Sequence, residues 1–145
     1  MPSDASQPTE VCPGCGAVLV PVGEPPAHPG ASASCARLFE VTLHGLREQA
    51  ITDPAAAAAV RSADAAYDAQ HPDPADPGRL TAALAHLGGQ AGSAGRSVIS
   101  ATPRIWRTTI ADVAADLDVI DLPVLVGSWA DAVAQDWASA TAGAR

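Results

Sequence analysis

The chain contains three cysteines, and two of them fall within one five-residue loop, Cys12-Pro13-Gly14-Cys15-Gly16. Two thiolates separated by two residues can reach a single ion from one tight turn. Pro13 presets one backbone angle of that turn, and Gly14 and Gly16 are read as positions that can take positive φ without steric cost. Amide N–H groups in such a turn can point at the sulfurs and help hold their negative charge. Zinc takes about four ligands in a tetrahedron, so the fold must bring two further donors to this loop from elsewhere in the chain. Cys35 is the obvious third donor. The fourth falls to one of four histidines, His28, His44, His71 or His86.

A length of 145 residues suits one domain. Apolar residues make up 48%, but with one Phe, one Tyr, one Met and three Trp, alanine supplies much of that fraction. Alanine buries little area, so a thin core with close helix packing is expected. All eight basic residues are Arg. Together with the abundance of Ala, Gly, Pro and Asp, this looks like GC-rich coding bias, and the Ala runs carry no functional signal. The formal net charge of −8 repels phosphate backbones and no basic stripe offsets it, so no nucleic-acid partner is expected. No apolar run approaches the roughly 20 residues of a membrane span. Met1-Pro2-Ser3-Asp4 has neither a basic nor an apolar region, so no secretory leader is expected. An odd number of cysteines makes a poor disulfide framework. A cytoplasmic protein with a C-x-x-C pair points to metal or redox chemistry. A thioredoxin-like motif needs a helix starting inside it, whereas here it leads into Ala17-Val18-Leu19-Val20-Pro21.

Residues 1–10 are polar and read as a disordered leader, followed by one zinc-binding helical domain over residues 11–141. Residues 18–22 can form a short strand or hairpin arm beside the knuckle. Ser32 or Ser34 can cap a helix over residues 35–49, with Leu38, Val41, Leu43 and Leu46 as its apolar stripe. Cys35 then lies in the first turn, where the partial positive charge of the helix end favours a thiolate. Thr52-Asp53-Pro54 opens a second helix that stops near His71-Pro72. Tyr67, Gln70 and His71 share one face at its end. A third helix over residues 78–87 buries Leu80, Leu84 and Leu87 and carries His86 near its C-terminus. Residues 88–95 read as flexible, and residues 96–110 as a short helix or extended chain. A short helix follows from Thr109 to about Asp116. The last helix runs from Asp121 to about Ser139, with Val126, Trp129, Val133 and Trp137 on one apolar face that needs a partner. The fold class is therefore mainly α: a small helical bundle with an N-terminal zinc-knuckle loop and a short hairpin.

Cys12-Pro13-Gly14-Cys15-Gly16, then Cys35, then Tyr67-Asp68-Ala69-Gln70-His71-Pro72, then His86-Leu87, then Trp129-Ala130 with Trp137, together resemble the DUF5946 proteins, a bacterial family of unknown function. The resemblance runs from Cys12 to about Trp137. It implies a metal site of Cys12, Cys15, Cys35 and a histidine, and it implies no activity. The Gln-His-Pro context makes His71 the expected fourth ligand. The chain departs from the family pattern in two places. Ala65 stands where the family has an aspartate, and Ser139-Ala140-Thr141-Ala142 stands where the last helix often carries paired histidines.

Two functions from different classes fit this reading. In the first, Zn2+ clamps the N-terminal loop onto the first two helices, and the protein binds a small molecule or a protein partner. In the second, it is a small metal-dependent biosynthetic enzyme, with His86 and Tyr67 as catalytic candidates in a pocket beside the zinc, or with His71 itself as a base. A thiol redox protein is a third class. His28 and His44 are read as exposed or packing residues. Asp64 and Asp68 are read as carboxylates that could orient His71 or Arg61. The tryptophans are read as core anchors, and the last helix as a packing element or a homodimer seam.

Overall fold

A computed structural model of the protein describes residues 8–25, 28–88, 103 and 105–143. Among these residues there are two short strands, β1 (Glu10–Val11) and β2 (Val18–Leu19), and five helices. The helices are α1 (Ala33–Ala50), α2 (Pro54–Gln70), α3 (Pro77–Gly88), α4 (Ile110–Ala115) and α5 (Leu122–Gly143). The two strands pair antiparallel around the knuckle, Glu10 with Leu19 and Val11 with Val18. Glu10, expected in the disordered leader, thus opens the hairpin. Most of the flexible loop expected over residues 88–95, and the start of the segment after it, lie outside the described residues.

Each helix begins on a local signal. Ser32 caps α1, its Oγ accepting from the Cys35 amide. Asp53 caps α2 and Pro54 occupies its first turn, where a missing N–H costs nothing. Thr109 and Asp112 form a reciprocal capping box on α4, with the Asp112 carboxylate accepting from the Thr109 amide at 2.9 Å. Glu10 adds a cap that is remote in sequence. Its Oε2 accepts from both the amide and the hydroxyl of Ser34, which fastens β1 to the first turn of α1.

Helix α2 is the hub, packing against α1, α3 and α5. Its buried alanines, among them Ala63, Ala66 and Ala69, let neighbouring helices approach closely, as an alanine-rich core requires. The expected stripe of α5 is buried throughout: Val126, Trp129, Val133 and Trp137 all face inward. On α1 the expectation fails at one position. Leu43 and Leu46 are buried, but Val41 is 60% exposed. At about 100° per residue, the buried line passes through positions 35, 39, 43 and 46, and Val41 points to the far side.

All three tryptophans, expected as core anchors, also donate indole hydrogen bonds. Trp106 donates to the Gly14 carbonyl at 3.0 Å, Trp129 to Gln70 Oε1 at 3.1 Å, and Trp137 to the Ala69 carbonyl at 3.0 Å. Two therefore meet the last turn of α2 and one meets the knuckle. Trp129→Phe removes the indole N–H and one ring's worth of volume, and leaves a buried amide oxygen without its donor. We expect it to lower stability by about 1–3 kcal/mol in urea denaturation.

Candidate metal centre

The knuckle closes on itself through two backbone hydrogen bonds of 2.9 Å, from Cys12 N–H to the Ala17 carbonyl and from Gly16 N–H to the Cys12 carbonyl. Gly16 adopts φ 81°, as expected. Gly14 does not have a positive φ, and the reason for glycine there is contact. A Cβ at Gly14 would lie 2.5 Å from His71 Cδ2 and 2.7 Å from the Gln70 carbonyl oxygen. The knuckle is pressed against the end of α2, and only a residue without a side chain fits between them.

This close approach brings four donors together. The sulfurs of Cys12, Cys15 and Cys35 and a ring nitrogen of His71 all lie within 4.8 Å of one another. Cys15 Sγ is 3.7 Å from Cys35 Sγ, and Cys35 Sγ is 3.5 Å from His71 Nε2. The four residues are 2%, 6%, 0% and 1% exposed, so the group is closed to solvent. The three cysteines are free thiols.

The ring of His71 is set by its other nitrogen. Nδ1 lies 2.6 Å from the Tyr67 carbonyl oxygen. A carbonyl can only accept, so Nδ1 carries the proton and Nε2 presents a lone pair to the sulfurs. This is the tautomer a metal-ligating imidazole needs, held by the kind of outer hydrogen bond that orients such ligands. The Tyr67 hydroxyl donates to Cys35 Sγ at 3.3 Å. Burial, and then this bond, push the Tyr67 phenol well above its ordinary range, so it remains a protonated donor.

Three thiols in one dry space cannot all ionise without a cation. Hydrogen bonds from Cys15 and Cys35 hold Cys12 far below the usual thiol value. Cys15, donating to Cys12, is pushed up to about 12, and Cys35 is pushed higher still by the same partner. The positive end of α1, expected to favour a Cys35 thiolate, is outweighed by the negative charge on its neighbour. Backbone amides of Cys15 and Ala17 support the Cys12 and Cys15 sulfurs, as the knuckle geometry implied. Three soft sulfurs and one imidazole form a donor set that can hold a transition-metal ion.

The other singled-out residues lie elsewhere. His86 is exposed on α3, 3.4 Å from Ser62 Oγ, and is not among the four donors. His44 is an exposed residue that pairs with Glu48. His28 is buried, so the packing alternative holds over the exposed one. Its Nδ1 accepts from the Gly30 amide at 3.1 Å, and its Nε2 therefore donates to Asp68 at 3.2 Å. His28 also stands edge-on to both Tyr67 and His71. Asp64 binds Arg47, and Asp68 takes His28 and Arg79, so neither orients His71 or Arg61. Gln70 is fully buried, tied to Trp129 and to the Thr108 carbonyl. No sequence signal pointed to the Glu10–Ser34, His28–Asp68 or Trp106–Gly14 contacts. Each depends on a partner more than twenty residues away.

Two outcomes test the centre. Gly14→Ala should cost about 1–3 kcal/mol through overpacking against His71 and should weaken metal retention, as read by thermal melts with and without chelator. The pH dependence also has a definite sign. Cys15 and Cys35 hold their protons at neutral pH and must lose them to bind a metal, so affinity rises with pH. Calorimetry in buffers of different ionisation enthalpy should show about two protons released per ion bound near pH 7.

A family model for DUF5946, described as a family of unknown function, matches residues 10–93. This span contains all four donors, while the tryptophan-bearing segment that the motifs suggested as part of the resemblance lies beyond it. No curated protein and no solved structure matches the chain. With more than half of its length matched, the hairpin, the knuckle and the first three helices included, the chain belongs to DUF5946.

Proposed function

We propose that the protein is a zinc-binding helical protein whose metal site is structural and whose role is to bind a small molecule or a protein partner. The single observation behind this reading is the spacing of the four buried donors. Zinc–sulfur bonds near 2.3 Å and zinc–nitrogen bonds near 2.05 Å give tetrahedral edges of about 3.8 Å between sulfurs and about 3.6 Å between sulfur and nitrogen. Two of the separations here, Cys15 Sγ to Cys35 Sγ and Cys35 Sγ to His71 Nε2, are 3.7 Å and 3.5 Å, and all four donor atoms lie within 4.8 Å of one another. A zinc ion in that space has Cys12, Cys15, Cys35 and His71 as a full set of protein ligands, which is the pattern of structural sites. The ion would neutralise the crowded thiols and join the hairpin to α1 and to the end of α2.

Two features argue against the enzyme alternative. His86 stands apart from the centre, and the Tyr67 hydroxyl is already engaged with Cys35. A thiol-rich centre of this kind suits a reducing compartment such as the cytoplasm. No helix among the described residues is long and apolar enough to cross a membrane. A homodimer seam along α5 would use its outward face, where Val124 is exposed, because the tryptophan stripe is buried within the chain.

Metal analysis of untagged protein should find about one zinc per chain, and Cys35→Ser and His71→Ala should each lose it. Chelation of the wild-type protein should lower its melting temperature to near that of the variants. Zinc retained in His71→Ala would remove that residue from the ligand set and reopen the site to substrate. Absence of metal in the wild-type protein would end the zinc reading.

A further inference from the structure

A cleft of about 400 Å³ opens beside the metal centre, between α1 and α2. Its volume falls within the range of about 300–1,000 Å³ typical of small-molecule sites. Two other clefts, of about 260 Å³ and 250 Å³, fall below it. One wall is aromatic: Phe39 and Tyr67 stack with centroids 4.0 Å apart and planes within 6°. Around these rings stand Glu40, Asp64, Asp68 and Arg79.

The charges on the walls do not cancel. Asp64 is held by Arg47 through two hydrogen bonds, of 2.6 and 3.1 Å. Asp68 is shared between His28 and Arg79, the latter at 3.5 Å. Glu40 has no ion pair or side-chain hydrogen bond among the described residues, so the cleft carries one uncompensated negative charge next to two stacked rings. The chain itself already uses the same recognition chemistry at this place. The Arg47 guanidinium lies 5.4 Å from the centroid of Phe39 while its nitrogens bind Asp64. A cation bound to a carboxylate and resting on an aromatic face is a favourable arrangement in a partly desolvated site.

We propose that this cleft binds a small organic cation, a primary amine on a short apolar or aromatic body. The ammonium group lies between Glu40 and Asp68, and the apolar body rests against Phe39, which is backed by the buried Tyr67. An anionic ligand is disfavoured, because three carboxylates face the space and Arg79 is already turned to Asp68. The proposal supplies a ligand class for the binding role above, but it rests on α1 and α2 and not on the identity of the metal.

The test is a chemical-shift titration of the full-length, metal-loaded chain with benzylamine, benzyl alcohol and benzoate. Benzylamine should saturate with a Kd of about 1 mM or tighter and shift the Phe39 and Tyr67 ring signals. Benzyl alcohol and benzoate should each bind at least about tenfold more weakly, as expected when a charge-assisted contact is lost. Glu40→Gln, a change of an exposed residue, should weaken benzylamine by about tenfold, while Glu48→Gln on the same helix should leave it unchanged. Three results would overturn the proposal: no saturation by benzylamine, equal binding of the alcohol, or equal losses in the two variants, which would mean diffuse attraction to an acidic surface. Metal content measured on the same samples keeps a failure of the zinc reading separate from a failure of the cleft.

Discussion

The hydrogen bond from His71 Nδ1 to the Tyr67 carbonyl is the contact on which the rest of the centre depends. Its first effect is at the helix end, where it takes up one of the carbonyls left without a partner when α2 stops. Its second is on the imidazole, whose Nε2 lone pair it turns toward three sulfurs. The end of an ordinary helix thereby supplies one of four clustered donors. The neighbouring groups secure that end. The His71 amide returns to the Asp68 carbonyl, Trp137 takes the Ala69 carbonyl, and Gln70 is held between Trp129 and the Thr108 carbonyl. With Gly14 packed directly against His71, the knuckle has little freedom to approach in another orientation.

A core built so largely of alanine has few large side chains with which to define itself, and most of those it has are gathered here. Tyr67, Phe39 and Trp129 form one group of ring contacts beside the cleft, and Trp106 with Trp137 forms a second between the knuckle and the last helix. Their indole and phenol groups are satisfied by Gly14, Ala69, Gln70 and Cys35, so large apolar area is buried without stranding a polar atom. Electrostatics work in the same direction. The thiols are crowded enough to disfavour more than one negative charge between them, a conflict that a bound cation would relieve.

Much of this could be read from the residues. Caps such as Asp53-Pro54 and Thr109 with Asp112 are local chemistry, and they place helix starts within a residue or two. The C-x-x-C loop, Cys35 in a first turn and a histidine ending α2 pointed to the four donors that the fold brings together. Other expectations failed because their reasons are not local. Gly14 sits where a turn glycine is expected, but it is required by contact with His71 and Gln70. Asp64 and Asp68 were paired with residues of their own helix, whereas their partners come from α1, α3 and the loop at His28. His86 shares a sequence motif with Leu87 but faces away from the centre, because α3 buries Leu80 and Leu84 and turns His86 outward. Val41 satisfied a loose apolar spacing that the helical period does not support.

The elements and the candidate donors follow from local chemistry along the chain. Helix caps, the period of apolar side chains and the chemistry of sulfur and imidazole act over a few residues, and so they are legible without a fold. Tertiary structure decided everything that depends on distance through space. It set the tautomer of His71, the crowding of three thiols in one closed space, the pairing of Glu10 with the start of α1, and the cleft whose walls come from both α1 and α2. Those features follow from how closely alanine-lined helices approach one another, and no stretch of one helix carries that information.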